Sequence, residues 1–129
     1  MAKAKLNPVS VDIVSDIVCP WCWLGKTYFD QAVRKSGMRV DVIWRPYMLD
    51  STVPQDGADY KTYMKAKFGP SSNAGGAPDK FKAMREHLEQ AGPEAGINFR
   101  FSELTVRPNT LRAHRLVRWA RGQDSGLDG

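Results

Sequence analysis

Residues 11 to 26 read VDIVSDIVCPWCWLGK and contain both cysteines of the chain, Cys19 and Cys22. Upstream of the pair, apolar and polar residues alternate and then give way to an apolar run, which is typical of a strand that enters a protein core. Pro20 follows the first cysteine, and proline suits the first turn of a helix because its N–H is not needed there. The stretch therefore predicts a strand over residues 9–18, a helix that begins at Pro20, and the cysteines at the junction between them.

A second strand follows this helix. The helix is expected to stop at Gly37, because glycine readily adopts the left-handed conformation that terminates helices. Residues 39–46, RVDVIWRP, alternate in hydrophobicity up to Pro46, which cannot extend a hydrogen-bonded ladder. Strand, helix and strand in this order predict a right-handed parallel crossover unit, so the fold class is α/β.

The rest of the chain is predicted to be mainly helical. Helices are expected near residues 58–68 and over residues 79–92, joined by a mobile linker over residues 69–78 that is rich in glycine, proline and serine. A short extended piece is expected at residues 97–101, and a basic helix is expected from Pro108 onward. Two or three strands are fewer than a sheet normally needs in water, so either helices cover the sheet or the chain is part of a longer one.

Length and composition indicate one globular domain in a reducing compartment. The chain has 129 residues, of which 42% are hydrophobic and 26% charged, and these proportions exclude disordered and fibrous classes. Polar residues interrupt the N-terminal segment, so no signal peptide is expected, and no apolar run reaches the length of a membrane span. We therefore expect a cytoplasmic protein without a membrane partner. In such a compartment a cysteine pair is more often catalytic, redox-sensing or metal-binding than a permanent structural bridge.

The positive charge is concentrated toward the C-terminal end. The net charge is +5. Residues 100–121 hold one acid, Glu103, and six arginines: Arg100, Arg107, Arg112, Arg115, Arg118 and Arg121. On a helical wheel the last four arginines lie opposite an apolar face. The members of that face are Ala113, Leu116, Val117 and Ala120. Ordinary surface helices have this pattern and no nucleic-acid-binding module accompanies it, so a solvated basic face is favoured over a nucleic-acid partner.

Three interpretations of the cysteine pair compete. In a zinc site, His87 and His114 would complete the ligand set, but they lie on separate predicted helices, whereas zinc fingers place their histidines about three to five residues apart. As two inert buried thiols, the cysteines would have no reason to stand at a helix start, where free N–H groups surround the first of them. Neither of these interpretations is favoured.

The redox interpretation explains both the spacing and the position. Residues three apart on a helix have Cβ atoms about 5 to 6 Å apart, close enough for a disulfide after a small adjustment. The free N–H groups and the helix dipole favour a thiolate at Cys19, so a lowered pKa and the role of attacking sulfur are expected there. Cys22, with a more normal pKa, would resolve the mixed disulfide. Pro20 and Trp21, between the cysteines, would tune the reduction potential.

Other side chains are candidates for supporting roles. Asp16, just before the pair, is a proton acceptor for Cys22 if its side chain points inward, or else a carboxylate that accepts hydrogen bonds from loop N–H groups. Trp21 and Trp23 either border a groove for an unfolded peptide or pack on the sheet. His114 falls at the boundary of the basic helix and is expected to be a packing residue.

Several segments resemble a known family. DIVCPWCWLGK, residues 16–26, is similar to the active-site segment of DsbA-family thioredoxin-like proteins, in particular of their FrnE-like branch, which is related to 2-hydroxychromene-2-carboxylate isomerases and kappa-class glutathione transferases. VIWRPYMLDSTVPQDGADY, GINFRF and RPNTLRAHRLVRWA resemble other segments of that branch, so the similarity runs from about Val9 to Ala120. The isomerase relatives carry serine in place of Cys19, so the motif favours the redox branch.

The resemblance implies a thioredoxin-like β-α-β start, an α-helical insertion, and a C-terminal β-β-α half that this chain lacks. Residues 1–50 would form the N-terminal part of the thioredoxin-like domain and residues 51–129 the helical insertion, incomplete at its end. We therefore expect the N-terminal part of a longer polypeptide. An exposed sheet edge would promote self-association into a homodimer.

The function implied by the resemblance is that of a protein disulfide oxidoreductase or isomerase. It would act on protein thiols or disulfides through Cys19 and Cys22, and it would need no metal or organic cofactor. Two alternatives remain open: a glutathione-dependent isomerase or transferase, for which glutathione would be the partner, and a non-catalytic metal-binding module.

Overall fold

A computed structural model describes residues 7–68 and 80–123. The helices and strands in these ranges are, in chain order, β1 (Val9–Ser15), α1 (Pro20–Ser36), β2 (Val40–Pro46), β3 (Ala58–Asp59), α2 (Tyr60–Phe68), α3 (Lys80–Ala91), β4 (Val106–Arg107) and α4 (Leu111–Arg121). Single turns of 3-10 helix occur at Pro93–Ala95 and Phe101–Glu103. The linker predicted over residues 69–78 lies outside the described residues.

Two compact units divide the described residues. The first consists of residues 7–49 and 110–123, and the second consists of residues 50–68 and 80–109. The sequence divided the chain once, near residue 50, whereas the structure groups α4 with the N-terminal unit. A helical pattern shows that a segment is a helix, but it does not show which element that helix packs on.

The first unit is built on a parallel strand–helix–strand crossover. β1 and β2 pair in parallel, with Val9 opposite Val40 and Ser15 opposite Pro46. α1 connects them and buries Leu24, which is 4% exposed. The β-α-β unit predicted from the sequence is confirmed.

The junction between β1 and α1 is a turn. β1 ends at Ser15, earlier than predicted, and the carbonyl oxygen of Asp16 accepts the N–H of Cys19 at 3.2 Å. Cys19 has an extended backbone, with φ −85° and ψ 114°, as the N-cap of α1. The helix ends as predicted at Gly37, whose φ of 63° is the left-handed conformation that favours glycine. The end of the apolar run therefore forms the turn that starts the helix.

α4 is anchored to the first unit by a polar side chain. His114 is 8% exposed, and its ring lies 3.0 Å from the carboxylate of Asp16. Leu116 and Val117, which the helical wheel placed on the apolar face, are 64% and 39% exposed. The wheel separates apolar from basic residues, but the side chain that makes the buried contact lies at the boundary between them.

The second unit has a small apolar core. Its buried apolar residues are Val53, Tyr60, Leu88, Ile97 and Phe101. β3 and β4 pair in antiparallel orientation over two residues each, and the side chain of Asn109 donates to the carbonyl oxygen of Val53 at 2.7 Å. None of the helices that the structure describes is both long enough and apolar enough to cross a bilayer.

The extended piece expected at residues 97–101 is not a strand. Residues 97–100 pair with no strand in the part of the chain that the structure describes, and Phe101 begins a turn of 3-10 helix. The rings of Phe99 and Phe101 stack 5.4 Å apart, and Ile97 is 3% exposed. The alternation that suggested a strand therefore reflects apolar side chains that a loop buries and stacks.

Candidate active site

Cys19 and Cys22 occupy the first turn of α1, as the sequence predicted. Both are free thiols and both are half-buried. The carbonyl oxygen of Cys19 accepts the N–H groups of Cys22 and Trp23 at 3.1 and 3.2 Å, which closes the first helical turn between the two sulfurs. The two thiols are close enough for each to shift the pKa of the other.

The pKa of Cys19 does not follow the sequence-based prediction. Burial raises it, and the hydrogen bond to the Cys22 thiol raises it further. The backbone N–H groups of Cys22 and Trp21 lower it, as expected at a helix start, but they do not offset the burial. The predicted lowering of the Cys19 pKa is therefore wrong for this structure, because the sulfur is withdrawn from water.

The pKa of Cys22 is lowered instead. Burial opposes ionisation here too, but the backbone N–H of Asp16, the hydroxyl of Ser15 and the thiol of Cys19 all hydrogen-bond to its sulfur and favour the thiolate. The negative charge of Asp16 acts in the other direction and raises the Cys22 pKa. In the reduced chain the negative charge of the pair is therefore favoured on Cys22. The sequence-based prediction for this residue was a near-normal pKa.

Asp16 is a buried carboxylate with several donors. It is 2% exposed, and its Oδ2 accepts the N–H of Leu49 at 2.8 Å. Its Oδ1 lies 3.0 Å from Nε2 of His114, and the side chain of Thr110 provides a further hydrogen bond. Burial would raise the pKa of Asp16, but these donors and the electrostatic interaction with His114 lower it. The carboxylate accepts a loop N–H, as one of the two roles predicted for Asp16 requires, and its role as a proton acceptor for Cys22 stays a prediction.

The pairing with His114 could not be found from one sequence. Asp16 and His114 lie 98 positions apart, one in the turn before α1 and the other on α4. The boundary position on the helical wheel indicated partial burial of His114 but gave no partner. The structure supplies that partner and makes His114 part of the environment of the cysteines.

A groove of about 960 Å³ opens beside the pair. Cys22, Asp16 and His114 contribute to its wall, together with Trp23 and residues of α1, β2 and α4. Trp23 is 54% exposed and lines this groove, and the predicted binding of an unfolded peptide there stays a prediction.

The two residues between the cysteines lie at the start of α1 and on its surface. Pro20 is the first residue of α1, and Trp21 is 42% exposed. Their predicted influence on the reduction potential stays a prediction. Within residues 7–68 and 80–123, no group of three or more histidine, cysteine, aspartate or glutamate side chains is arranged to hold a metal ion. His114 is engaged with Asp16, and His87 belongs to the second unit.

The fold and the site together define a class of protein. A parallel β-α-β unit with a Cys-x-x-Cys pair in the first turn of its helix is the start of a thioredoxin-like domain. A family model described as DSBA-like thioredoxin domain matches residues 10–128. The chain therefore belongs to the DSBA-like thioredoxin domain family, which confirms the resemblance seen in the sequence. Its placement in the FrnE-like branch stays a prediction.

Two similar proteins cover most of the chain. The uncharacterized protein YwbO of Bacillus subtilis (strain 168) is 23% identical over 118 residues, which are 92% of this chain and 50% of that protein. The probable DsbA oxidoreductase SCO1869 from Streptomyces coelicolor, known from a crystal structure, is 28% identical with a TM-score of 0.67. That similarity covers 88% of this chain and 47% of the Streptomyces chain. The chain thus spans about half the length of these relatives.

Proposed function

We propose that this chain carries out thiol–disulfide exchange, as part of a protein disulfide oxidoreductase or isomerase that uses Cys19 and Cys22. The observation that carries the proposal is the position of two free thiols one helical turn apart at the start of α1, with Cys22 on the wall of a groove. The family, and the similarity to a Streptomyces protein described as a probable DsbA oxidoreductase, support it. The quoted segments also support a place in the FrnE-like branch.

The proposed reaction transfers two electrons in two steps. One cysteine thiolate attacks a sulfur of a substrate disulfide, so a mixed disulfide forms and a substrate thiolate leaves and takes up a proton. The other cysteine then loses its proton and attacks the mixed disulfide, which forms the Cys19–Cys22 disulfide and releases the second substrate thiol. Substrate oxidation is the same sequence in reverse.

Two features favour different sulfurs for the first attack. Cys19 stands at the helix start, where N–H groups of Trp21 and Cys22 point toward it, while Cys22 has the lowered pKa and lines the groove. Trapping of the mixed disulfide in single-serine variants therefore identifies the attacking residue.

Asp16 is proposed to act on the pair mainly through charge. Its pKa is lowered, so its carboxylate is a weak base, and the proton-acceptor role would require it to take a proton against that preference. Its negative charge raises the pKa of Cys22, while its backbone N–H lowers it. The carboxylate thus limits how readily Cys22 ionises, and His114 holds it in place.

The proposal is tested by incubating the reduced protein with a peptide disulfide and following the masses of both partners. We expect release of two peptide thiols and a protein product that has lost two hydrogens, which is the Cys19–Cys22 disulfide. Cys19→Ser and Cys22→Ser should both lose this turnover, and the one that keeps the attacking sulfur should accumulate a mixed disulfide.

The double variant is the matched control. Because the chain has two cysteines, Cys19→Ser/Cys22→Ser contains no thiol and should leave the peptide disulfide intact. Peptide reduction that survives in either single variant with unchanged turnover would contradict the proposal.

A further inference from the structure

The groove beside the cysteine pair collects positive charge from three elements. Its wall includes Lys26 of α1, Arg45 of β2, and Arg118 and Arg121 of α4. Among its wall residues in the part of the chain that the structure describes, Asp16 is the acidic one, and it is buried against its own hydrogen-bond donors. The basic face of α4, which the sequence assigned to solvent, therefore contributes two of its arginines to this groove.

Two of the four cations are paired with acids. Nζ of Lys26 lies 2.7 Å from Asp30, and Nε of Arg45 lies 2.7 Å from Asp12. Both ion pairs are partly exposed, and neither acid belongs to the groove wall. The acids therefore offset part of the positive charge that Lys26 and Arg45 bring to the groove.

The two arginines of α4 complete the positive surface. Arg121 donates to the carbonyl oxygen of Trp44 at 3.1 Å, which places its guanidinium at the groove wall. Arg118 forms no ion pair with the residues that the structure describes and is exposed. A guanidinium in this position can bind a carboxylate through two parallel hydrogen bonds.

Aromatic side chains stand among these cations. Trp23 and Trp44 line the groove, and Nζ of Lys26 lies 5.9 Å from the centre of the Trp44 ring. Rings can cover the apolar part of a ligand while the cations bind its charged groups. The volume of about 960 Å³ is at the upper end of the range for small-ligand sites. The groove is therefore also large enough for a short peptide segment.

We infer that the groove selects disulfides whose neighbouring groups are carboxylates. In a peptide these would be glutamate or aspartate side chains next to the cysteine, and in a small thiol they would be its own carboxylates. The inference rests on the proposed exchange at Cys19 and Cys22, and it adds a substrate class to it. Electrostatic selection of this kind acts on encounter and orientation, so it changes kcat/KM rather than the chemistry of exchange.

The test uses three peptide disulfides that differ only in the residues flanking the cysteine, which are glutamate, glutamine or lysine. We expect kcat/KM to fall in that order, with the glutamate peptide about tenfold faster than the lysine peptide at low ionic strength. The difference should shrink as salt is added, because the Debye length falls to about 10 Å at 0.1 M.

Arg118→Gln should reduce the ratio of kcat/KM between the glutamate and lysine peptides about threefold. Arg115→Gln is the matched control, because Arg115 is an exposed arginine one turn earlier on α4 that does not line the groove. It makes the same change in net charge and should leave the ratio unchanged.

Oxidised glutathione distinguishes the two sources of carboxylate. Loss of turnover in Arg118→Gln with oxidised glutathione, together with equal rates for the three peptides, would assign the recognition to a small thiol. Equal rates for all substrates in an active protein, or equal effects of Arg118→Gln and Arg115→Gln, would overturn the charge inference and leave the exchange function intact. Absence of exchange with every substrate would overturn both.

Discussion

The two thiols at the start of α1 share one environment but differ in the direction of their pKa. Burial and the neighbouring thiol raise the pKa of Cys19, whereas the N–H of Asp16 and the hydroxyl of Ser15 help to lower that of Cys22. A sequence motif fixes the spacing of the sulfurs along the helix, but it does not fix how much water each one sees. The helix-start argument for Cys19 correctly identified its N–H donors and missed its burial.

Alkylation of the reduced chain as a function of pH tests this order. Iodoacetamide reacts with the thiolate, so Cys22 should be modified at lower pH than Cys19. Fragment-ion mass spectrometry of the peptide that contains both residues gives each profile without mutating either cysteine.

Asp16→Asn provides the comparison for the alkylation profiles. Because the charge of Asp16 raises the pKa of Cys22, the amide should move the Cys22 profile to lower pH. Modification of Cys19 before Cys22 in the wild-type chain would show that the thiolate is favoured at the helix N-cap after all.

Asp16→Asn should also reduce stability, by about 2 kcal/mol at neutral pH, because hydrogen bonds to a buried charged group are lost or weakened. The pKa of Asp16 is lowered from its ordinary value of 3.8 in the folded chain. Its stabilising contribution is therefore complete above that value and is lost as the pH falls through the lower folded pKa. The difference in stability between wild type and variant should shrink as the pH falls below the ordinary value of 3.8, as measured by urea unfolding.

Asp12→Asn is the control for this prediction. Asp12 pairs with Arg45 at 2.7 Å, but its side chain is 45% exposed, so the change should cost less than about 1 kcal/mol. Equal losses of stability in Asp16→Asn and Asp12→Asn would mean that the burial of Asp16 does not increase its contribution to stability.

At the scale of elements, glycines show where backbone packing is tight. Gly92 follows α3 with a helical backbone, and its carbonyl oxygen accepts the N–H of Ile97 at 2.8 Å. A Cβ at this position would lie 2.5 Å from the carbonyl oxygen of Ile97 and 2.8 Å from the ring of Phe99. The turn after α3 therefore depends on the absence of a side chain, not on an unusual φ.

Gly92→Ala should destabilise the chain by about 2 kcal/mol, because the added methyl group forces backbone apart in the second unit. Gly25→Ala is the matched change. Gly25 lies inside α1, and a Cβ added there would have nothing within 4 Å, so alanine should stabilise by about 0.5 to 1 kcal/mol through helix propensity. Thermal unfolding followed by circular dichroism gives the sign of each change in stability. A stabilised Gly92→Ala variant would contradict the close contact between a Cβ at position 92 and the carbonyl oxygen of Ile97.

At the scale of the molecule, the described residues combine a thioredoxin-like start with a separate helical unit. The chain spans about half the length of the two relatives that it matches, so the exchange activity proposed here concerns the part that carries the cysteines. The basic segment near the C-terminal end gains a role at this scale, since Arg118 and Arg121 reach the same groove as Cys22. These two arginines, which the sequence placed on a solvated helix face, therefore lie beside the site of the proposed reaction.

The sequence by itself determined the β-α-β crossover, the helix start at Pro20, the spacing of Cys19 and Cys22, and the family. These follow from periodicity and from residues close together in the chain, so one sequence is sufficient. Tertiary structure alone decided the Asp16–His114 pair, the four cations of the groove and the burial of the two thiols. Each of these depends on which distant segments pack together and exclude water, and neither spacing nor composition encodes that packing.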